Sequence, residues 1–202
     1  MSPSYHSRVK SLCDEEFFYA PRRLSAEHVS NCKLVSNRRD MLRNLPRGGI
    51  VAEVGTAAGD FARDISSIVL PDQLHIFDRN LDSFDFDAFR ELIDNEIVFT
   101  HLGDSSTLLS KFGNEFFDWV YIDGDHSFEG VTKDIAQAIM KIKPEGYIIF
   151  NDYTVYSPLE KIQYGVMRAV NHLCLEHDFE IFMFALNILG YHDVALRRRL
   201  AH

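Results

Sequence analysis

The sequence predicts an α/β fold: a doubly wound, mostly parallel sheet of seven strands, helices on both faces, and an antiparallel C-terminal hairpin strand. Three observations carry this. Short apolar runs alternate with segments of helical period along most of the chain. Five of those runs end in a polar or acidic turn. The last stretch, "FEIFMFALNILGYHDVALRRRL", reads as two strands joined by a short loop.

The elements follow in order. Residues 1–46 are mixed and polar and read as an N-terminal helical cap segment. Within it, "SAEHV" and "NRRDMLRNL" are helix candidates, the first capped by Ser25 and the second closed by Pro46. The main domain then spans 47–202. "GGIVAEVG" is a short buried strand ending in a glycine turn, and "DFARDISSIVL" is a helix stopped by Pro71. "QLHIFDRN" is the second strand, "DAFRELIDN" a helix, "EIVFTHLGDS" the third strand and "FFDWVYID" the fourth. In "SFEGVTKDIAQAIMKI", Val131, Ile135, Ile139 and Ile142 recur at helical spacing. Burying each contributes about 1.5–3 kcal/mol before chain entropy is subtracted. "KPEG" ends that helix and "YIIFNDY" is the fifth strand. "SPLE" opens another helix, with Ser157 as cap, Pro158 in the first turn and Glu160 completing a capping box. Its inward face is Leu159, Ile162, Val166, Val170 and Leu173.

Composition narrows the function classes. A chain of 202 residues, 46% hydrophobic and 25% charged, suits one globular domain. A net charge of -9 argues against a nucleic-acid binder. "RRR" at 197–199 reads as a strand end. Cys13, Cys32 and Cys174 are few and widely spaced, with no CxxC pair, so neither a disulfide framework nor a zinc site is expected. No apolar run is long enough to span a membrane, and "MSPSYHSRVK" lacks a signal core. A cytoplasmic location and a small-molecule partner are expected, and a homo-oligomer is left open.

In such sheets ligands bind beyond the carboxyl ends of the strands. That rule puts "EVGTAAGD", "FDRN", "LGDSS", "IDGDH" and "FNDY" on one rim. Glycines 55 and 59 allow a sharp turn and close approach of a ligand, but depart from the GxGxxG spacing that cradles a pyrophosphate. Glu53 and Asp60 beside them repel phosphate and suit a ligand with a positive charge and an amino group. Asp78, 23 residues beyond Gly55, is placed to accept from both hydroxyls of a ribose. Asp104 either accepts from an adenine amino group or caps a helix. Asp123, Asp125 and His126 crowd into "YIDGDHSFEG", where they hold a metal, act as acid and base, or form a turn.

"IVAEVGTAAGDFARDI", "LHIFD", "HLGDSS", "FDWVYIDGDHSFEGVTKDI" and "IKPEGYIIFNDY" resemble the consecutive motifs of class I S-adenosylmethionine-dependent methyltransferases, a Rossmann-like fold. "YIDGDHSFEGVTKDI" is similar to the methyltransferase 24 group, related to catechol and macrolide-sugar O-methyltransferases. The resemblance covers about residues 48–153; the N-terminal 45 residues match nothing, and in these families that region often lids the site. The resemblance implies that Glu53, Gly55, Thr56 and Gly59 surround the methionine moiety. It implies that Asp78 holds the ribose, that Arg79 lies beside the adenine, and that Gly103, Asp104 and Ser105 flank it. Asp123 would sit at the methyl-transfer end.

The metal-dependent relatives imply a further set, Asp123 with Asn151 and Asp152. Two carboxylates about 4 Å apart repel by roughly 4 kcal/mol at an effective dielectric of 20, so a divalent cation, a shared proton or a basic neighbour must relieve them. Oxygen ligands favour magnesium or manganese. His126, three residues after Asp123, is either the general base, as the sugar-methylating relatives imply, or a helix cap or partner of Asp152. His75 and His101 read as structural, Asp125 as a turn or helix-start residue, and Tyr153 and Tyr156 as either pocket-lining or solvent-facing. The function expected is O-methylation of a small-molecule hydroxyl from S-adenosylmethionine. The rivals are a non-catalytic S-adenosylmethionine or S-adenosylhomocysteine binding module and a nucleotide-dependent oxidoreductase. The missing third glycine and the acid of "EVG" count against the last.

Overall fold

The computed structural model of the chain describes residues 21–199. Cys13 and the first part of the cap segment lie outside the described residues. In the rest, one eight-stranded sheet has the order β1-β9-β10-β6-β5-β2-β3-β4. Its strands are β1 Lys33–Val35, β2 Ile50–Val54, β3 Gln73–Asp78, β4 Val98–Leu102, β5 Phe117–Ile122, β6 Ile142–Phe150, β9 Phe179–Ala185 and β10 Asp193–Arg198. Only β10 runs antiparallel, against both β6 and β9. The helices are α1 Arg38–Arg43, α2 Asp60–Ile68, α3 Phe86–Asp94, α4 Ser105–Leu109, α5 Phe128–Lys141 and α6 Val166–His177. Among the described residues no helix is long and apolar enough to cross a membrane.

The sheet separates two cores, one on each face. Alternate residues of each strand serve opposite sides, as the period of two requires. Val54, Val120, Ile122 and Ile148 pack under α5 and α6, while Val51, Ile76, Trp119 and Ile149 pack under α1 and α2. Strands buried on both faces read as continuous apolar runs, which is why they are visible in sequence.

The structure corrects four expectations. The sheet has eight strands rather than seven, because Lys33–Val35 pairs parallel with β9. "SAEHV" forms only a 3-10 turn, Ala26–His28. "KPEG" does not separate helix from strand; β6 starts at Ile142, directly after α5, and runs through it. "SPLE" does not open a helix. Ser157 does accept the Glu160 N–H at 3.0 Å, but the chain turns there into a hairpin, β7 Tyr156–Ser157 with β8 Ile162–Gln163. Leu159 and Ile162 are consequently exposed, and α6 starts only after Gly165.

The strand order reverses between β2 and β5, and the register there brings the strand ends level. Val54 stands opposite both Phe77 and Ile122, and Ile122 opposite Phe150. Gly55, Asp78, Asp123 and Asn151 therefore all leave the sheet at one height. Gly55 is required by two constraints at once. Its φ is +81°, and a Cβ there would lie 2.1 Å from the Asp123 carbonyl oxygen. Gly55→Ala is therefore expected to lower the unfolding free energy by more than about 1 kcal/mol, read as a shifted urea midpoint. An unchanged midpoint would contradict the close approach.

Candidate active site

A cleft of about 890 Å³ opens over the ends of β2, β3, β4 and β5. All of the residues expected around a cofactor line it: Glu53, Gly55, Thr56, Asp78, Arg79, Gly103, Asp104, Ser105 and Asp123, with only Gly59 set behind. Gly59 has φ +87° and caps α2, and a Cβ there would press on the Phe84 ring at 2.8 Å.

Each rim residue has a local job as well. Glu53 is buried, and its Oε2 accepts from the Thr56 hydroxyl at 2.9 Å. Burial pushes its pKa up to about 8. Asp78 accepts three backbone N–H groups, those of Thr56 (2.8 Å), Ala57 (3.2 Å) and Asn80 (3.0 Å). A carboxylate has about four acceptor positions, so it holds the glycine turn and keeps one for a ligand. Asp104 is the N-cap of α4, bonded to the Thr107 N–H at 2.9 Å and to the Ser106 and Thr107 hydroxyls; those bonds hold its pKa down at about 2. Arg79 lies 3.5 Å from the other Asp104 oxygen. Ser105 donates to Asp134, a buried acid of α5 whose pKa burial lifts to about 6. Asp125 accepts the Ser127 N–H at 2.8 Å and starts α5.

A second cavity of about 630 Å³ adjoins the first. Asp152, Asn151, Glu160, Tyr164 and Tyr191 line it, and it shares Asp123 and Arg38 with the cleft. The hairpin β7–β8 forms its outer wall, held by the Tyr191 phenol at 2.7 Å from the Ser157 hydroxyl.

Asp123, Asn151 and Asp152, the set expected to hold a metal, all line the second cavity. His126 Nε2 lies 3.4 Å from Asp123 Oδ1 and 3.5 Å from Asp152 Oδ2. The imidazole thus stands where the two carboxylates need a positive charge. The Asn151 amide nitrogen donates to the Tyr121 phenol at 3.1 Å and to Asp193 at 3.5 Å. Among the described residues no group of three or more His, Cys, Asp or Glu side chains is placed to hold a metal ion. Asp123, Asp152 and the Asn151 amide oxygen are the oxygen donors that would hold a divalent cation, and His126 already lies between the two carboxylates.

His126 itself lines neither cavity. Its ring stacks on Tyr164 at 4.4 Å, and its Nε2 is buried without a hydrogen bond. Burial alone would lower its pKa, but Asp123, Asp152 and Glu160 together raise it. Burial first, then the Asp123 charge, lifts Asp152 to about 6. Asp152 thus faces the second cavity with a pKa of about 6, while His126, 3.5 Å from it, lines neither cavity.

Other expectations settle plainly. Tyr153 packs against the core and donates to Asn171 at 2.7 Å, and Tyr156 is exposed; the cavity tyrosines are Tyr164 and Tyr191 instead. His75 is buried between His101 and Gln73, a structural role. The arginines of 197–199 are each tied within the chain, to Glu180, to backbone carbonyls and to Glu27. Arg38 went unread in the sequence, where nothing separates it from its neighbours in "NRRD". Its guanidinium sits 4.5 Å from the centre of the Phe61 ring, on the wall between the cavities.

Solved structures share this fold at low identity. The chain is 19% identical to the O-methyltransferase TomG of Streptomyces achromogenes, which is involved in tomaymycin synthesis and was solved with S-adenosylmethionine; the match covers 80% of each chain with a TM-score of 0.57. It is 20% identical to a ribosomal protein L11 methylase of Lactobacillus delbrueckii, with a TM-score of 0.55 over 80% of this chain and 77% of the other. It is 15% identical to the pyocyanin biosynthetic protein PhzM, with a TM-score of 0.61 over 80% of this chain; it spans only 54% of PhzM. No curated protein matches the sequence. Residues 52–153, from β2 to just past β6, match the profile of the methyltransferase 24 family, described as a methyltransferase domain, and the chain belongs to that family.

Proposed function

We propose that this protein transfers a methyl group from S-adenosylmethionine to a hydroxyl of a small molecule. The observation that carries the reading is the meeting of two cavities at Asp123 and Arg38. One cavity lies over the family's cofactor motifs and the other is a polar pocket large enough for an acceptor. The charge of -9 and the acid-rich rim favour a small acceptor over nucleic acid.

When bound, the cosubstrate supplies a sulfonium methyl whose carbon–sulfur bond breaks as a carbon–oxygen bond forms. The residues of the chain do the rest. Glu53, Gly55 and Thr56 seat the methionine part, and Asp78 offers its remaining acceptor position to a ribose hydroxyl. The acceptor hydroxyl points at Asp152 in the second cavity, and its proton passes to that carboxylate. His126, charged between Asp152 and Asp123, keeps both acids in place and stabilises their ionised forms. Alignment of the two reactants supplies most of the rate, up to about 7–11 kcal/mol in favourable systems.

The first test is calorimetric. S-adenosylmethionine should bind, whereas NAD should not; the reverse result would overturn the reading. Asp78→Ala should weaken that binding about tenfold or more. It should also lower thermal stability, because three backbone N–H groups lose their acceptor.

The second test is kinetic, scored by adenosylhomocysteine formation across a panel of hydroxylated acceptors. Asp152→Asn should lower kcat by about 10²–10⁴-fold while leaving cofactor affinity intact. Full activity in that variant would remove Asp152 from the chemistry. Because the carboxylate must be ionised, kcat/KM should fall as pH drops through about 6. A flat profile from pH 5 to 8 would count against a carboxylate base. The same assay with EDTA, then with magnesium or manganese restored, assigns the counter-charge: activity that survives chelation leaves it with His126, and an absolute metal requirement moves it to an ion on Asp123 and Asp152.

A further inference from the structure

The cofactor cleft is lined by eight carboxylate residues and only three cationic ones. Two of those cations are committed. Arg79 faces Asp104 at 3.5 Å, and Lys133 faces Glu129 at 2.9 Å. The third is Arg38. Among the described residues no carboxylate comes within ion-pairing distance of it. Its nearest partners are the Phe61 ring face and the Tyr121 phenol, with Asp193 and Asp123 farther off.

Arg38 is held where it stands. Asn37 caps α1 by accepting the Asp40 N–H at 3.0 Å. Arg39 grips Asp64 of α2 with two bonds, at 2.8 and 2.6 Å. Phe61, under the guanidinium, packs in turn against Tyr121, the ring centres 4.3 Å apart and the planes tilted by 41°. A cation on a rigid aromatic base, with no ion pair, is built to receive an anion.

Its position along the cleft says which anion. Asp78, Arg79 and Asp104 occupy the β3–β4 end, where a diol and a base belong. Arg38 lines the same cleft from α1, over the Phe61 ring, and its charge reaches the buried Glu53. There neither the buried Glu53 nor the Arg38 guanidinium is held in an ion pair among the described residues, although each lies within reach of the other's charge. A zwitterionic amino acid satisfies both, its ammonium meeting Glu53 and its carboxylate meeting the guanidinium. Without Arg38, that carboxylate would enter a cleft of acids.

Resting on the reading of this cleft as the S-adenosylmethionine site, we propose that Arg38 is the residue that binds the α-carboxylate of the methionine moiety. The short helix α1 thereby closes the cofactor site and forms one wall of the acceptor cavity in the same step. Arg38 is a binding and positioning residue and takes no proton.

The test is a binding cycle on the folded full-length protein, by calorimetry, with two ligands: S-adenosylmethionine and its decarboxylated analogue, which keeps the amine and the sulfonium. The wild type should prefer the carboxylated ligand by about ten- to a hundredfold. Arg38→Gln should lose that preference, with affinity for the analogue changed less than about threefold. Arg38→Lys, which keeps the charge without the fork, should retain part of the preference and serves where the glutamine variant does not fold. Equal losses for both ligands, or an unchanged preference in Arg38→Gln, would overturn the proposal. So would an unchanged preference with a raised KM for acceptor, which would place the guanidinium on the acceptor instead. Failure of the wild type to bind either ligand would overturn the cofactor reading, and this assignment with it.

Discussion

The site depends on how closely β2 and β5 approach at their carboxyl ends. Asp123 donates its N–H to the Val54 carbonyl at 2.7 Å, and its own carbonyl occupies the space that a side chain at Gly55 would fill. This backbone contact sits where the strand order reverses, the point at which an open parallel sheet leaves a crevice. It fixes the floor of the cofactor cleft. It also aims the Asp123 side chain at the place where cleft and acceptor cavity join, so that one short contact between two strands sets both halves of the site.

Such a floor crowds acids together, and the fold answers with two basic side chains from different directions. Glu53, Asp123, Asp152 and Asp193 all have raised pKa values, burial being the largest cause in each. His126 arrives from the loop after β5 and enters between two of them. Arg38 arrives from the segment before the first core strand, and its charge opposes the rise in all four. The cost of ionised carboxylates in a confined site is thus offset by placed charges rather than by solvent. The arrangement suits a ligand that brings a sulfonium and an ammonium, because both add positive charge where it is short.

What could be read from the sequence was what is written locally. The run "IVAEV" and its neighbours announce buried strands, and the turns after them announce the rim, because a strand buried on both faces has a continuous apolar signature. The roles expected along that rim came from the family resemblance of the motifs there. The failures were non-local. β1 is three residues long with Leu34 exposed, and its partner β9 lies about 150 residues away, so no local pattern marks it. The Ser157–Glu160 box was a true local signal, but the hydrogen bond it predicts forms equally well in a turn. The start of α6 is set instead by packing: a Cβ at Gly165 would lie 2.0 Å from the Phe128 nitrogen. Arg38 was invisible because its role comes from Phe61 and Tyr121, which the fold brings beneath it.

These two kinds of legibility map onto the two cavities. The cofactor side is built from consecutive strand ends, so any chain that keeps the sheet keeps that half of the site. The second cavity is assembled from pieces that meet only in the folded state: α1 and the β7–β8 hairpin line it, with Tyr191 bridging to Ser157. Tyr164 links them to the chemistry, stacking on His126 while its phenol donates to Glu160 at 2.7 Å. A change in the hairpin therefore alters the shape presented to the acceptor and the packing of the imidazole together, while leaving Gly55 and Asp78 untouched. Those segments line the second cavity only once the chain is folded, and that is why the sequence motifs reached the first cavity and not the second.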